Sequence, residues 1–204
     1  MTRFLDGVSP QSLRLVALFV ALLATVLFFS TQIDGYLSPR MFNRITTSVA
    51  VVLPVAAGQA IVVMTRNIDL SVGSILGIVA YVIGQMLGSF PELHPVLVVA
   101  ACMGLGAVAG AVNGVLVAWG RVPAIIVTLG TLALFRTFLV EWSDARTITT
   151  ASLPQWLVDL PQATAFSVAG LDVRVTVLLA VVACLVTGLA LARLRWARRF
   201  YAVG

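Results

Sequence analysis

The sequence is poor in the residues that carry most enzymatic chemistry. It contains no lysine, since all 13 of its basic residues are arginine, and it has a single histidine, His94. Without lysine the chain cannot form the Gly-x-x-x-x-Gly-Lys-Ser/Thr loop that holds nucleotide phosphates. One histidine cannot by itself build a zinc site or a catalytic triad. We therefore predict no catalytic residues, no metal site and no cofactor in this chain.

Charge is also scarce, and its scarcity indicates a membrane protein. Charged residues make up 10% of the 204 residues and hydrophobic residues 60%, whereas soluble domains have about 25% charged and about 45–50% apolar residues. The formal net charge of +5 is spread between apolar stretches, and the one arginine cluster directly follows such a stretch. That position is typical of a cytoplasmic membrane anchor and argues against nucleic acid as a partner.

The apolar stretches predict an all-α fold, a polytopic bundle of about six transmembrane helices, because a helix needs roughly 20 apolar residues to cross the hydrocarbon core. The predicted spans are Leu13–Thr31, Ile45–Met64, Leu70–Phe90, Val96–Trp119, Val122–Val140 and Val173–Leu194. Within the polar stretch after the fifth span, Leu153–Leu160 is predicted to form a short interfacial helix. We find no internal repeat or linker, so residues 1–204 are predicted to form a single membrane domain.

The distribution of arginine predicts the orientation. Six crossings place both termini on the same side of the membrane. With both termini in the cytoplasm, eight arginines fall in inner segments, four in outer segments and one, Arg136, inside the fifth span, which accounts for all 13. Inner loops of membrane proteins carry the excess of arginine and lysine. We therefore predict that both termini are cytoplasmic.

The connection between the second and third spans carries the sharpest motif. Residues 65–73 read Thr-Arg-Asn-Ile-Asp-Leu-Ser-Val-Gly and keep Asp69 close to membrane depth. As the N-cap of the third span, Asp69 would accept backbone N–H groups at the positive end of the helix, and Ser71 would satisfy a further donor. The alternative is that this turn contacts the translocation path or a neighbouring subunit, because ionisable groups at membrane depth often serve function.

The fourth span contains a strip of small residues. Gly106, Gly110 and Gly114 recur every four residues, a spacing that lets two helices approach closely in a bilayer. We predict that this glycine strip packs against another helix. Asn113 lies beside it and is expected either to make an interhelical hydrogen bond or to line the translocation path.

The fifth span is interrupted by polar residues near both ends. Thr128 and Thr131 follow its start and predict a kinked or discontinuous helix, as is common where helices line a transport cavity. Arg136 and Glu141 lie toward its other end and are interpreted as paired or snorkelling charges near the outer face.

Three blocks of this sequence resemble the permease subunits of bacterial ATP-binding cassette (ABC) importers for sugars, in the branch that includes ribose, xylose, rhamnose and autoinducer-2 permeases. The first block is Ile-Asp-Leu-Ser-Val-Gly at residues 68–73, and the second runs from Gly110-x-x-Asn-Gly through Arg-Val-Pro at 121–123 to Thr-Leu-Gly-Thr at 128–131. The third is Arg-Arg-x-Tyr-Ala-x-Gly at 198–204. Residues 65–67, before the first block, are more similar to rhamnose and autoinducer-2 permeases.

This resemblance implies a permease that moves a monosaccharide, rhamnose-like or another, across the bacterial inner membrane. It also implies two ABC ATPase subunits that bind ATP on the cytoplasmic face, a periplasmic sugar-binding protein, and a second permease subunit in a homodimer or heterodimer, besides contact with membrane lipid. Such permeases continue past the third block. We therefore expect these 204 residues to be the N-terminal part of a full permease, incomplete at the C-terminus.

Two other classes of function stay open on the residues alone. A secondary carrier driven by an ion gradient, or a channel without an ATPase, would need charge pairs deep within the spans, whereas the sequence offers Asp69 and Arg136, both near span ends. A membrane scaffold without transport would make the three blocks coincidental. For a permease, the residues predicted at the translocation path or its gates are Asp69, Ser71, Asn113, Thr128 and Thr131.

Overall fold

Six long apolar helices dominate the computed structural model, which describes residues 10–168, 170–194 and 197. The helices are α1 (Pro10–Gln32), α2 (Pro39–Met64), α3 (Val72–Ser89), α4 (Pro95–Ala118), α5 (Ala124–Ser143), α6 (Gln155–Asp159) and α7 (Val175–Arg193), with a 3₁₀ turn at Thr150–Ser152. All of them except α6 are long and apolar enough to cross a membrane. The predicted helical membrane bundle is therefore confirmed, and the third motif block, residues 198–204, lies outside the described residues.

The start of α2 is the largest departure from the predicted boundaries. This helix begins at Pro39, six residues before the predicted start at Ile45 (45 − 39 = 6). Proline fits the first helical turn because the N–H that it lacks has no partner there in any helix. Arg40 and Arg44, which we expected in an outer loop, consequently lie in the first turns of a membrane-spanning helix.

The fifth span is one continuous helix, so the predicted discontinuity is wrong. Thr128 Oγ1 donates to the carbonyl of Ala124 at 2.8 Å, and Thr131 Oγ1 donates to that of Val127 at 3.1 Å. A hydroxyl that bonds to a carbonyl of the preceding turn is satisfied without breaking the helix, but such bonds often bend it. The kink, which is the other part of the prediction, stays a prediction.

Arg136 and Glu141 are interpreted from the sequence as paired or snorkelling charges, and the structure, which describes both residues, contains no ion pair between them, so snorkelling is the interpretation that stays open. Among the described residues, the ion pair that the structure contains joins Arg146 to Asp144 at 3.1 Å, in the exposed segment after α5.

The spanning helices form two groups. Helices α3, α4 and α5 pack on one another, and α2 packs against α7. At one end of the first group, Ile83, Leu87 and Val98 form a buried cluster, and α6 covers it with Trp156 and Leu157. The short helix predicted near residues 153–160 is thus present, and it is anchored by apolar packing on α3 and α4.

A two-stranded antiparallel hairpin stands between α6 and α7, and the all-α prediction did not foresee it. Strand β1 (Thr164–Val168) pairs with β2 (Leu171–Arg174), with Val168 opposite Leu171. Gly170 has a φ of +81°, a backbone conformation that glycine adopts without a Cβ clash and that suits the tight turn. The hairpin leads directly into α7, and β2 also packs against α2.

Candidate functional site

Polar side chains from several helices meet at the end of the bundle where α2 and α4 finish and α3 and α5 begin. Consecutive spans with short connections run in opposite directions, so these four helix ends lie on the same face of the membrane. The arginine distribution predicts that this face is the cytoplasmic one. We call the group of side chains there the polar network, and it comprises Gln59, Asp69, Ser71, Asn113 and Thr128.

The α2–α3 connection supplies the first part of the polar network. Asp69 Oδ1 accepts a hydrogen bond from the backbone N–H of Ser71 at 2.8 Å and another from Ser71 Oγ at 2.6 Å. Helix α3 begins at Val72 with Ser71 as its N-cap residue. The prediction that Asp69 is the N-cap is therefore wrong, since the N-cap lies two residues later. The Asp69 carboxylate instead accepts both hydrogen bonds from Ser71 and forms a local turn that precedes the helix.

Asn113 joins this turn to α4. Its Nδ2 donates to Ser71 Oγ at 2.7 Å, between residues 42 positions apart. Ser71 is 0% exposed and Asn113 is 5% exposed. The interhelical hydrogen bond expected of Asn113 is confirmed, and it ends on a serine hydroxyl that simultaneously donates to Asp69.

Gln59 and Thr128 attach the same turn to α2 and α5. Gln59 Nε2 donates to the backbone carbonyl of Asp69 at 3.0 Å. Thr128 Oγ1 lies 3.3 Å from the carbonyl oxygen of Ile68, in addition to its bond within α5. The residues before α3 are consequently held by hydrogen-bonding groups of three spanning helices.

Sequence reasoning missed Gln59, and Thr131 lies outside the polar network. Gln59 is the one side-chain amide in the long apolar part of α2. Because an amide within the hydrocarbon core is expected to hydrogen-bond to a neighbouring segment, the sequence could have predicted a contact for Gln59. Thr131 is buried, but it bonds to carbonyls of its own helix. The structure thus brings together Asp69, Ser71, Asn113 and Thr128 and leaves Thr131 outside the polar network.

The glycine strip of α4 has no packing partner in the described part of the chain. A Cβ placed on Gly106, Gly110 or Gly114 would meet no atom within 4 Å. The predicted helix contact is therefore not made by the described residues, and it stays a prediction for a helix outside them.

The polar network holds helices together through hydrogen bonds. The described residues include no group of three or more histidine, cysteine, aspartate or glutamate side chains that could hold a metal ion. One acceptor in the network is unused: Asn113 Oδ1 is buried and has no hydrogen-bond partner among the described residues. Because an unpaired buried polar atom is costly, this oxygen is the point at which a water or another polar group best completes the network.

Comparison with known proteins defines the class of this chain. Residues 41–204 match the family described as the permease component of the branched-chain amino acid transport system. The chain therefore belongs to this family of membrane permeases, and its six apolar helices fit a multi-pass protein of the inner membrane.

Individual relatives narrow the class further. The chain is 39% identical over 187 residues to the autoinducer 2 import system permease protein LsrC of Escherichia coli O9:H4 (strain HS), a match that covers 90% of this chain and 52% of the relative. It is 38% identical over 187 residues to LsrC of Shigella flexneri, covering 90% and 52%, and 35% identical over 194 residues to LsrC of Salmonella typhi, covering 95% and 53%. The chain spans about half the length of the curated relatives that it matches. No solved structure matches it. The resemblance to sugar-importer permeases is thereby confirmed.

Proposed function

We propose that this chain is part of the permease subunit of an ABC importer that moves a monosaccharide-like solute, of the autoinducer 2 or rhamnose kind, across the bacterial inner membrane. The observation that carries the proposal is that the Ile-Asp-Leu-Ser-Val-Gly block typical of these permeases is the segment that the polar network ties to α2, α4 and α5. The names of the relatives, which state autoinducer 2 import, support the same class of solute.

In this proposal the energy comes from partner subunits. The chain has no lysine with which to hold ATP phosphates, so two ABC ATPases on the cytoplasmic face bind and hydrolyse ATP. A periplasmic binding protein delivers the solute from the other side and supplies most of the specificity. A second permease subunit completes the path between them, and residues 1–204 belong to a single membrane domain.

The polar network holds the cytoplasmic ends of the helices in one arrangement and thereby acts as a gate of the translocation path. Tilting α4 or α5 away from the α2–α3 connection must break the bond from Asn113 to Ser71 or the contact from Thr128 to Ile68. Interhelical hydrogen bonds in membranes contribute about 0.5–2 kcal/mol each. Bonds of this strength hold one arrangement of the helices and still yield to a conformational change driven by ATP.

The test uses the full-length gene product co-expressed with its ATPase and reconstituted in liposomes with its binding protein. We expect autoinducer 2 or rhamnose to stimulate ATP hydrolysis and to enter the liposomes. Ser71→Ala and Asn113→Leu are expected to raise hydrolysis without solute and to lower the uptake per ATP. Thr25→Val is the matched control, because Thr25 is exposed and bonds within its own helix to Ala21.

Two results would contradict this function. Uptake driven by an ion gradient with no ATPase present would establish a secondary carrier. If the full-length protein does not retain an ATPase on purification, the proposal of an ABC importer is contradicted.

A further inference from the structure

A polar cleft opens where α2 and α7 begin, on the membrane face opposite the polar network. Its volume is about 780 Å³, and it lies between the first turns of α2 and the β1–β2 hairpin. We call it the arginine cleft. The side chains that define it are Arg40, Asn43, Arg44, Asp172 and Arg174.

The arginine cleft has an unbalanced charge. It contains three arginines and one carboxylate, a net charge of +2 (3 − 1 = 2). Asp172 uses its oxygens on neutral donors, since it accepts from Asn43 Nδ2 at 3.4 Å and from the Ser167 hydroxyl. In the described part of the chain, no carboxylate lies within ion-pair distance of any of the three guanidinium groups. The cleft is therefore positively charged, and its charge is available to a ligand.

The hydrogen-bond donors in the cleft are also incompletely used. Arg174 donates from one terminal nitrogen to the carbonyl of Gln162, whereas its Nε is buried and has no partner among the described residues. A buried donor without a partner is unfavourable, and more so when it is charged. An incoming anionic oxygen would remove that cost, and a guanidinium group pairs with phosphate through two parallel hydrogen bonds.

The depth of the cleft indicates where such an anion comes from. Arg40 and Arg44 lie in the first turns of α2, and Arg174 directly precedes α7, and both helices are long and apolar enough to span the membrane. Their first turns therefore stand at the boundary between hydrocarbon and headgroups, the level of the lipid phosphates. In the turns just below, Ile45 of α2 and Leu179 of α7 are exposed and offer an apolar surface to acyl chains.

We propose that the arginine cleft binds the phosphate headgroup of an anionic phospholipid. Arg40, Arg44 and Arg174 contact the phosphate oxygens, and the acyl chains lie along the exposed faces of α2 and α7. In the orientation predicted from the arginine distribution, this lipid belongs to the outer leaflet of the inner membrane. The binding does not depend on transport, so the proposal goes beyond the importer function and can fail independently of it.

The experiment measures lipid retention by the full-length protein. The protein is purified in mild detergent, titrated with dioleoyl phosphatidylglycerol or with the zwitterionic dioleoyl phosphatidylethanolamine, and examined by native mass spectrometry. We expect preferential retention of phosphatidylglycerol. The double variant Arg40→Gln/Arg44→Gln is expected to lower its affinity by about tenfold or more, because it removes two of the three guanidinium groups that pair with the phosphate oxygens. Arg174→Gln is expected to act in the same direction.

Arg146→Gln is the matched control. Arg146 lies on the same membrane face as the cleft, is 82% exposed and is already paired with Asp144, so its loss should leave lipid retention unchanged. An equal loss in Arg146→Gln would overturn the proposal, because it would show a response to general surface charge. Retention of both lipids to the same extent would overturn it as well.

The other sources of an anion give different results. If inorganic phosphate at millimolar concentration displaces phosphatidylglycerol, the cleft is a site for a soluble anion and the lipid proposal is wrong. If Arg40→Gln/Arg44→Gln retains the lipid but loses the periplasmic binding protein, the cleft is a protein contact. Both measurements can be made on a protein that transports nothing.

Discussion

At the scale of single residues, Ser71 has a role that only a hydroxyl group can fill. Its Oγ donates to Asp69 and accepts from Asn113, so one atom joins the α2–α3 connection to α4. An alanine at this position would leave Asn113 Nδ2 without its acceptor in a buried site, and Asp69 would keep the bond from the backbone N–H of residue 71 alone. Buried polar groups of this kind are costly to leave unpaired and contribute modestly when paired.

A double-mutant cycle on Ser71→Ala and Asn113→Ala measures this contact. We expect each single variant to lower the free energy of unfolding by about 1–3 kcal/mol, and the pair to show a coupling of about 0.5–2 kcal/mol. The measurement is reversible unfolding in mixed micelles, followed by circular dichroism. Strictly additive losses would show that Ser71 and Asn113 do not interact in solution.

At the scale of elements, the segment after α5 depends on a close approach to α3. A Cβ on Gly84 would lie 2.6 Å from Cδ1 of Ile148, well inside contact distance. This approach lets residues 150–157 run back over the buried cluster at the ends of α3 and α4. The glycine is therefore needed for close packing, and its backbone conformation is ordinary.

The pair Gly84→Ala and Ile148→Val tests that approach. Gly84→Ala alone is expected to cost about 1 kcal/mol of stability, because the end of the Ile148 side chain must move aside. Ile148→Val removes the clashing Cδ1 and should restore most of this loss when the two are combined. Gly188→Ala on α7 is the matched control, since a Cβ there meets no atom within 4 Å and no loss is expected. Thermal melting points of the four variants in one detergent provide the measurement, and additive effects of the first two would contradict the packing.

At the scale of the whole molecule, two helical groups are joined at one membrane face by the polar network. Helices α3 to α5 pack together, α2 packs with α7, and the Gln59 and Thr128 contacts link the groups through the α2–α3 connection. Almost all of the remaining surface of the spans is apolar, and α1 buries none of its apolar window within the protein. Such a surface is expected where the solvent is lipid.

The predicted orientation belongs to this scale and can be tested by cysteine labelling. In a background with Cys102→Ala and Cys184→Ala, Trp119→Cys marks the face of the polar network and Gln162→Cys marks the face of the arginine cleft. Both positions are exposed, Trp119 at 85%. In intact spheroplasts a membrane-impermeant maleimide should label Gln162→Cys. It should label Trp119→Cys only after the spheroplasts have been lysed. The reverse pattern would place the polar network in the periplasm.

Local composition was sufficient for the large features of this protein. The number of spans follows from it, because a helix in lipid has to be apolar over about 20 residues whatever it packs against. The sequence alone likewise excluded a lysine-containing phosphate loop and indicated the permease family through its motif blocks. Hydropathy did not reveal that α2 starts at Pro39, because the arginines in its first turns lower the local hydropathy to a level typical of a loop.

The composition of the polar network depended on packing. Asn113 meets Ser71 across 42 residues, and Thr128 meets Ile68 across 60. Whether a polar side chain on a helix meets a partner or bonds to its own backbone depends on how the helix is rotated about its axis. Thr128 and Thr131 lie three residues apart with the same side chain, yet the first reaches the α2–α3 connection and the second does not. Rotation is determined by the neighbouring helices, and no local pattern in the sequence encodes it.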